Sequence, residues 1–163
     1  MRRIYLAGFD VFRPDAQSYG ERLKALCREY GFEGLYPLDN TLPQGLEGAA
    51  AAAWIYRQNV TLIRRADLVM ANLNPFRGHE PDSGTVFEVG YAVALGKPVW
   101  AYTSREATLI EQVSVRRVGD QHIDTEGYTV EDFGHSLNLM LAQSARVVVG
   151  DARACLRRIA AAA

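Results

Sequence analysis

Two carboxylates stand six residues apart in the segment Glu80-Pro81-Asp82-Ser83-Gly84-Thr85-Val86-Phe87-Glu88-Val89-Gly90-Tyr91. Before it, Asp67 to Leu73 is an apolar run that reads as a buried strand; after it, Phe87 to Leu95 reads as an apolar helix. The spacing predicts a turn carrying Asp82, Gly84 and Thr85 that feeds a helix with Glu88 in its first turn. Ligands collect at such strand-to-helix junctions in open α/β sheets. A carboxylate held there beside a second one is equipped to attack a sugar carbon through an oxocarbenium-like state. A helix N-terminus would favour the ionised form by about 0.3–1 kcal/mol near the surface, which suits a nucleophile.

The elements that must position these residues alternate along the chain. Ile4 to Ala7 is a short apolar strand ending at Gly8. Tyr19, Leu23, Leu26, Cys27 and Tyr30 recur at three and four, which predicts an amphipathic helix over 16–30 closed by Gly31. Gly34 to Leu38 reads as a second strand, Thr41 to Gly48 as a loop and 49–65 as a helix whose alanines favour it. Lys97 to Tyr102 reads as a fourth strand and Arg146 to Val149 as a fifth. Helices are expected over 107–113, 136–142 and 151–163, with 103–135 otherwise irregular. Strands alternating with helices imply a parallel sheet covered on both faces. The expectation is one α/β domain over 1–163, a flavodoxin-like three-layer sandwich with five strands in the order 2-1-3-4-5. Tyr5 and Gly8 at the end of strand 1 should then face Asp82 and Glu88 across the switch point.

Composition narrows the function classes. A net charge of -1 gives no electrostatic reason to expect nucleic acid or an anionic membrane as partner. The only cysteines, Cys27 and Cys155, lie far apart in amphipathic segments, without CxxC or zinc-ligand spacing. They read as buried apolar residues, consistent with a reducing cytoplasm. No apolar run approaches the roughly 18 residues needed to cross a bilayer, so a cytoplasmic protein is expected. The glycines do not form GxGxxG after strand 1, which weakens a dinucleotide reading. Trp54, Tyr56 and Trp100 read as core or subunit contacts, and His79 as a solvated loop residue.

Four segments in register resemble the nucleoside 2-deoxyribosyltransferase family. Ile4-Tyr5-Leu6-Ala7-Gly8-x-Asp10-Val11-Phe12 is similar to its first strand and substrate loop, and Pro37-Leu38-Asp39-Asn40 to its turn after strand 2. Asp82-x-Gly84-x-x-x-Glu88-x-Gly90-Tyr91-Ala92 resembles its catalytic segment. Asn138-Leu139-Met140 resembles a motif that a neighbouring subunit inserts into the site. The resemblance implies Glu88 as nucleophile, Asp82 as the group assisting the base and Tyr5 as the residue orienting Glu88. It implies substrate contacts from Gly8, Asp10, Phe12, Gly84, Asn138 and Asn59; family members often carry aspartate at this last position. An amide there donates and accepts hydrogen bonds but delivers no proton at neutral pH. A deoxyribonucleoside and a free nucleobase would be the substrates, with no metal or organic cofactor. The protein would be a homo-oligomer with each site completed by a neighbour.

Transfer of 2-deoxyribose between bases competes with two other readings. Hydrolysis of a nucleoside or nucleoside 5′-monophosphate is one, although Asp10 in Gly8-Phe9-Asp10-Val11-Phe12-Arg13 suits a phosphate poorly. Arg13 and Arg77 keep it open. A non-catalytic nucleotide-binding module is the other.

Overall fold

In a computed structural model, which describes residues 1–162, the chain alternates strand and helix through its first two thirds. The order is β1 (Arg2–Ala7), α1 (Ala16–Glu29), β2 (Phe32–Leu35), α2 (Gly48–Arg65), β3 (Leu68–Asn72), α3 (Ser83–Ala94) and β4 (Val99–Thr103). Then come α4 (Leu109–Gln112), β5 (Val115–Val118), β6 (Gln121–Asp124), β7 (Thr129–Val130), α5 (Leu139–Ser144), β8 (Arg146–Val149) and α6 (Ala152–Ala161). The expected last helix extended to Ala163, which lies outside the described residues.

The main sheet runs β2-β1-β3-β4-β8 with every pairing parallel, the order 2-1-3-4-5 expected for a flavodoxin-like sandwich. Period-two alternation divides its side chains between two cores. Tyr5, Ala7, Val69 and Ala71 pack with Leu62 and Ile63 of α2, Val89 of α3 and Leu141 of α5. Ile4, Leu6, Leu68 and Met70 pack on the other face with Leu23 and Cys27 of α1 and Cys155, Leu156 and Ile159 of α6. Each buried Leu or Ile contributes about 1.5–3 kcal/mol, so both helical layers are firmly attached. Both cysteines are buried, and burial pushes each thiol up to about 12, so neither is a ready nucleophile.

Three local expectations differ from the fold. The second strand is Phe32–Leu35 rather than 34–38, because Pro37–Asp39 winds into a 3-10 turn. The Asp39 carboxylate takes the Tyr36 N–H at 2.9 Å, a donor that a longer strand would have used in the ladder. Helix α3 starts at Ser83, four residues before the apolar run, since Asp82 caps it. Finally, 115–130 forms an antiparallel sheet, β5-β6-β7, where an irregular region was expected. Gly119, at φ 60°, turns the first of its hairpins.

Candidate active site

Tyr5 sits on β1 between β2 and β3, paired with Leu35 on one side and Val69 on the other. Its side chain is fully buried and its hydroxyl donates to Glu88 Oε1 at 2.5 Å. Sequence positions 83 residues apart thus meet at the β1–β3 switch point. Burial and the neighbouring Glu88 carboxylate hold the Tyr5 phenol well above its ordinary pKa. It therefore stays a proton-bearing donor across the physiological range.

Glu88 lies in the second turn of α3, not the first. Its carboxyl is raised to about 7, because burial penalises the charge; the Tyr5 hydrogen bond opposes this, and the negative charge of Asp82 adds to it. Desolvation therefore overrides the helix-terminus effect expected from the sequence. Near neutral pH the group sits at the balance between acid and anion, a poise common among working carboxyls.

Asp82 is the N-cap of α3: its Oδ2 accepts from Thr85 N at 2.9 Å and Thr85 Oγ1 at 3.0 Å. Among the described residues Oδ1 carries no such bond, so one oxygen holds the helix and the other remains available. At Gly84 an added Cβ would lie 3.1 Å from Asp82 Oδ2, a tight approach that favours glycine.

Asp10 is 4% exposed and accepts from Asn72 Nδ2 at 2.9 Å. Burial raises its carboxyl, with the Asn72 bond acting against the rise. Asn72 Oδ1 takes the N–H and side-chain amide of Asn74 at 3.1 and 2.7 Å. Asn74 Oδ1 in turn takes the N–H and hydroxyl of Ser104 at 2.8 and 2.7 Å. This chain of bonds ties together the ends of β1, β3 and β4. A Cβ at Gly8 would come within 2.8 Å of Asp10 Oδ2 and 2.9 Å of Asn72 Cβ, so glycine permits the close packing. Asp10 accordingly stands as an anchor of the loop after β1, while Phe12 on that loop is 57% exposed. Asn72 and Asn74 were not singled out in the sequence; paired asparagines just past a buried strand were the available signal.

The chain belongs to the nucleoside 2-deoxyribosyltransferase family. The family's sequence profile, described as nucleoside 2-deoxyribosyltransferase, matches residues 4–140. A solved 2-desoxiribosyltransferase from Leishmania mexicana is 33% identical, with 99% of this chain and 98% of that one covered and a TM-score of 0.79. An uncharacterised protein of Schizosaccharomyces pombe is 37% identical over 106 residues, 62% of this chain and 49% of its own length. A mouse 5-hydroxymethyl-dUMP N-hydrolase is 30% identical over 78 residues, 48% of this chain and 42% of its own. The chain thus spans about half the length of the curated relatives it matches, or less.

The other residues picked out by the family resemblance fall into two groups. Asn59 lies on α2 one turn before Ile63, and its Oδ1 is buried without a hydrogen-bond partner among the described residues. Asn138 caps α5 within its own chain, accepting from Met140 N at 3.0 Å. It also lines a groove of about 510 Å³ between α3 and α5, with Val86, Val89, Gly90 and Val93. Met140 beside it is 72% exposed. Tyr56, expected in the core or at a subunit contact, is exposed on α2 and lies 5.9 Å from Phe87 of α3, ring centre to ring centre. Among the described residues, no group of three metal-ligating side chains and no helix long and apolar enough to cross a membrane occurs.

Proposed function

We propose that the protein transfers 2-deoxyribose between nucleobases by double displacement with net retention. The observation that carries this is the buried Tyr5–Glu88 hydrogen bond at the end of the sheet. Ionised Glu88 attacks C1′, and the C–N bonding pair leaves with the base, giving a glycosyl ester on Glu88. Asp82, through its free Oδ1, hydrogen-bonds the edge of the base and steers its departure, and the departing ring nitrogen takes a proton from water. In the second half the incoming base gives up its N–H proton to water, its nitrogen attacks C1′, and Glu88 leaves as carboxylate. Tyr5 holds the Glu88 carboxylate in line and disperses its charge.

Phe12 offers an exposed aromatic face for the base. The unpartnered Asn59 oxygen supports its reading as a base contact, since buried polar atoms otherwise find partners. Gly8 and Gly84 let backbone approach the substrate, and Asp10 acts by holding the loop that carries Phe12. The 138–140 segment of a neighbouring copy completes each pocket, which makes the active species an oligomer. The exposed Met140, Phe87 and Val93 are consistent with a covered surface.

Hydrolysis is the second reading, favoured by the similarity to the 5-hydroxymethyl-dUMP N-hydrolase. Mixing the protein with deoxyinosine and free adenine separates the two. Deoxyadenosine supports transfer, whereas hypoxanthine alone supports water as acceptor. Neither product would remove both readings.

A further inference from the structure

The loop between β3 and α3 carries Phe76 and Arg77, which the chemistry above does not use. The Phe76 ring stacks on Phe9 at 5.0 Å between centroids and 15° between planes, and on Phe12 at 5.3 Å and 11°. It is the shared member of a three-ring stack that joins the loop after β1 to the loop after β3. The Arg77 guanidinium lies 4.6 Å from the Phe76 centroid and 5.5 Å from that of Phe12. Arg77 has φ 54°, the one non-glycine residue with positive φ among the described residues. Such a conformation persists only where surroundings hold it. The loop is closed by Phe76 N–H donating to the Glu80 carbonyl at 3.0 Å, and its root is tied to the loop after β1 through Asn72 and Asp10.

An exposed phenyl ring normally samples several rotamers, and binding a flat ligand then incurs the loss of that freedom. Phe12 is more than half exposed, yet one of its sides is stacked on Phe76. We propose that Phe76 is a positioning residue that presets the Phe12 ring, with Arg77 over both, as a stacking platform for the nucleobase. The inference rests on the nucleobase site of the proposed function. A π-face accepts purines and pyrimidines alike, so the platform acts on the affinity for bases generally.

The test measures binding of free adenine, and separately of free cytosine, by calorimetry, alongside acceptor KM and kcat. An aromatic pair is worth a factor of about two to ten in affinity. Phe76→Ala should weaken base binding and raise acceptor KM by such a factor, with kcat within about two-fold. Phe76→Tyr should restore both; Phe76→Leu, which keeps bulk without a ring, should not. Unchanged binding in Phe76→Ala, equal performance of Leu and Tyr, or a loss in kcat alone overturns the proposal. If the alanine variant fails to fold, the Tyr–Leu comparison decides. Bases bound with no turnover by the wild type would sink the proposed reaction but not the platform; no base binding by the wild type would sink the platform.

Discussion

Replacing Tyr5 with Phe removes one oxygen from a fully buried ring and leaves Glu88 without its donor. A hydrogen bond to a charged group is worth about 1.5–3 kcal/mol. At about 1.4 kcal/mol per pH unit, its loss should lift the Glu88 carboxyl from about 7 by roughly one to two pH units. The nucleophile must be ionised, so the acid limb of kcat/KM should move from near pH 7 to roughly 8–9. At pH 6, ionisation alone then lowers kcat/KM by roughly ten- to a hundred-fold, and much of the loss returns near pH 9.5. Tyr5 itself does not supply the wild-type limb, since burial holds its phenol well above 10. The assay is kcat/KM from pH 5.5 to 9.5, with a donor and acceptor that do not titrate there. A limb that stays in place or moves to lower pH would refute the reasoning.

Asp82→Asn should move the same limb the other way, because it deletes the negative charge that helps raise Glu88; a pH–rate profile of the two variants side by side checks the opposing signs. Maximal turnover of Asp82→Asn should also fall, with little change in fold. Glu88→Gln should abolish transfer yet stabilise the protein at alkaline pH. The folded carboxyl titrates at about 7 against an ordinary 4.5, so the stability Glu88 contributes is fully present below 4.5 and is lost as pH rises through 7. Urea denaturation at pH 8 should show a gain on the order of 3 kcal/mol for the glutamine variant, with little difference at pH 4.5. Gly20→Ala should destabilise despite better helix propensity, since the new Cβ would lie 2.4 Å from Tyr36 Cδ1 and Cε1. Overpacking costs about 1–3 kcal/mol against about 1 gained, which a urea midpoint resolves.

The parallel sheet and its order were legible because β1, β3 and β4 are apolar runs bounded by turn residues, and each is followed by a helix signal. The meeting of Tyr5 with Glu88 followed from that order, since a 2-1-3-4-5 sheet leaves one place for both. The ionisation of Glu88 was not legible. The sequence shows a carboxylate near a helix start; it does not show how deeply β1, β3 and α3 bury it. The bond that holds Asp10 was hidden for a similar reason: its partner, Asn72, lies 62 residues away. The antiparallel sheet of 115–130 escaped because Val115 to Val118 carries two arginines and little alternation. Only the Gly119-Asp120 pair between two four-residue runs marked a hairpin. The aromatic stack of Phe9, Phe12 and Phe76 was not legible because Phe76 comes from the loop after β3, far along the chain from the short 3-10 turn over Phe9–Phe12.

Covalent trapping tests the account at its centre. A 2′-deoxy-2′-fluoroarabinosyl nucleoside should react slowly, since fluorine destabilises the oxocarbenium-like state and delays release of the ester. Peptide mass mapping of the trapped protein should find the fluorosugar on Glu88, and added adenine should discharge it. A fluorosugar attached to any other side chain, or product formed with no covalent species at all, would contradict the assignment of Glu88 as the nucleophile.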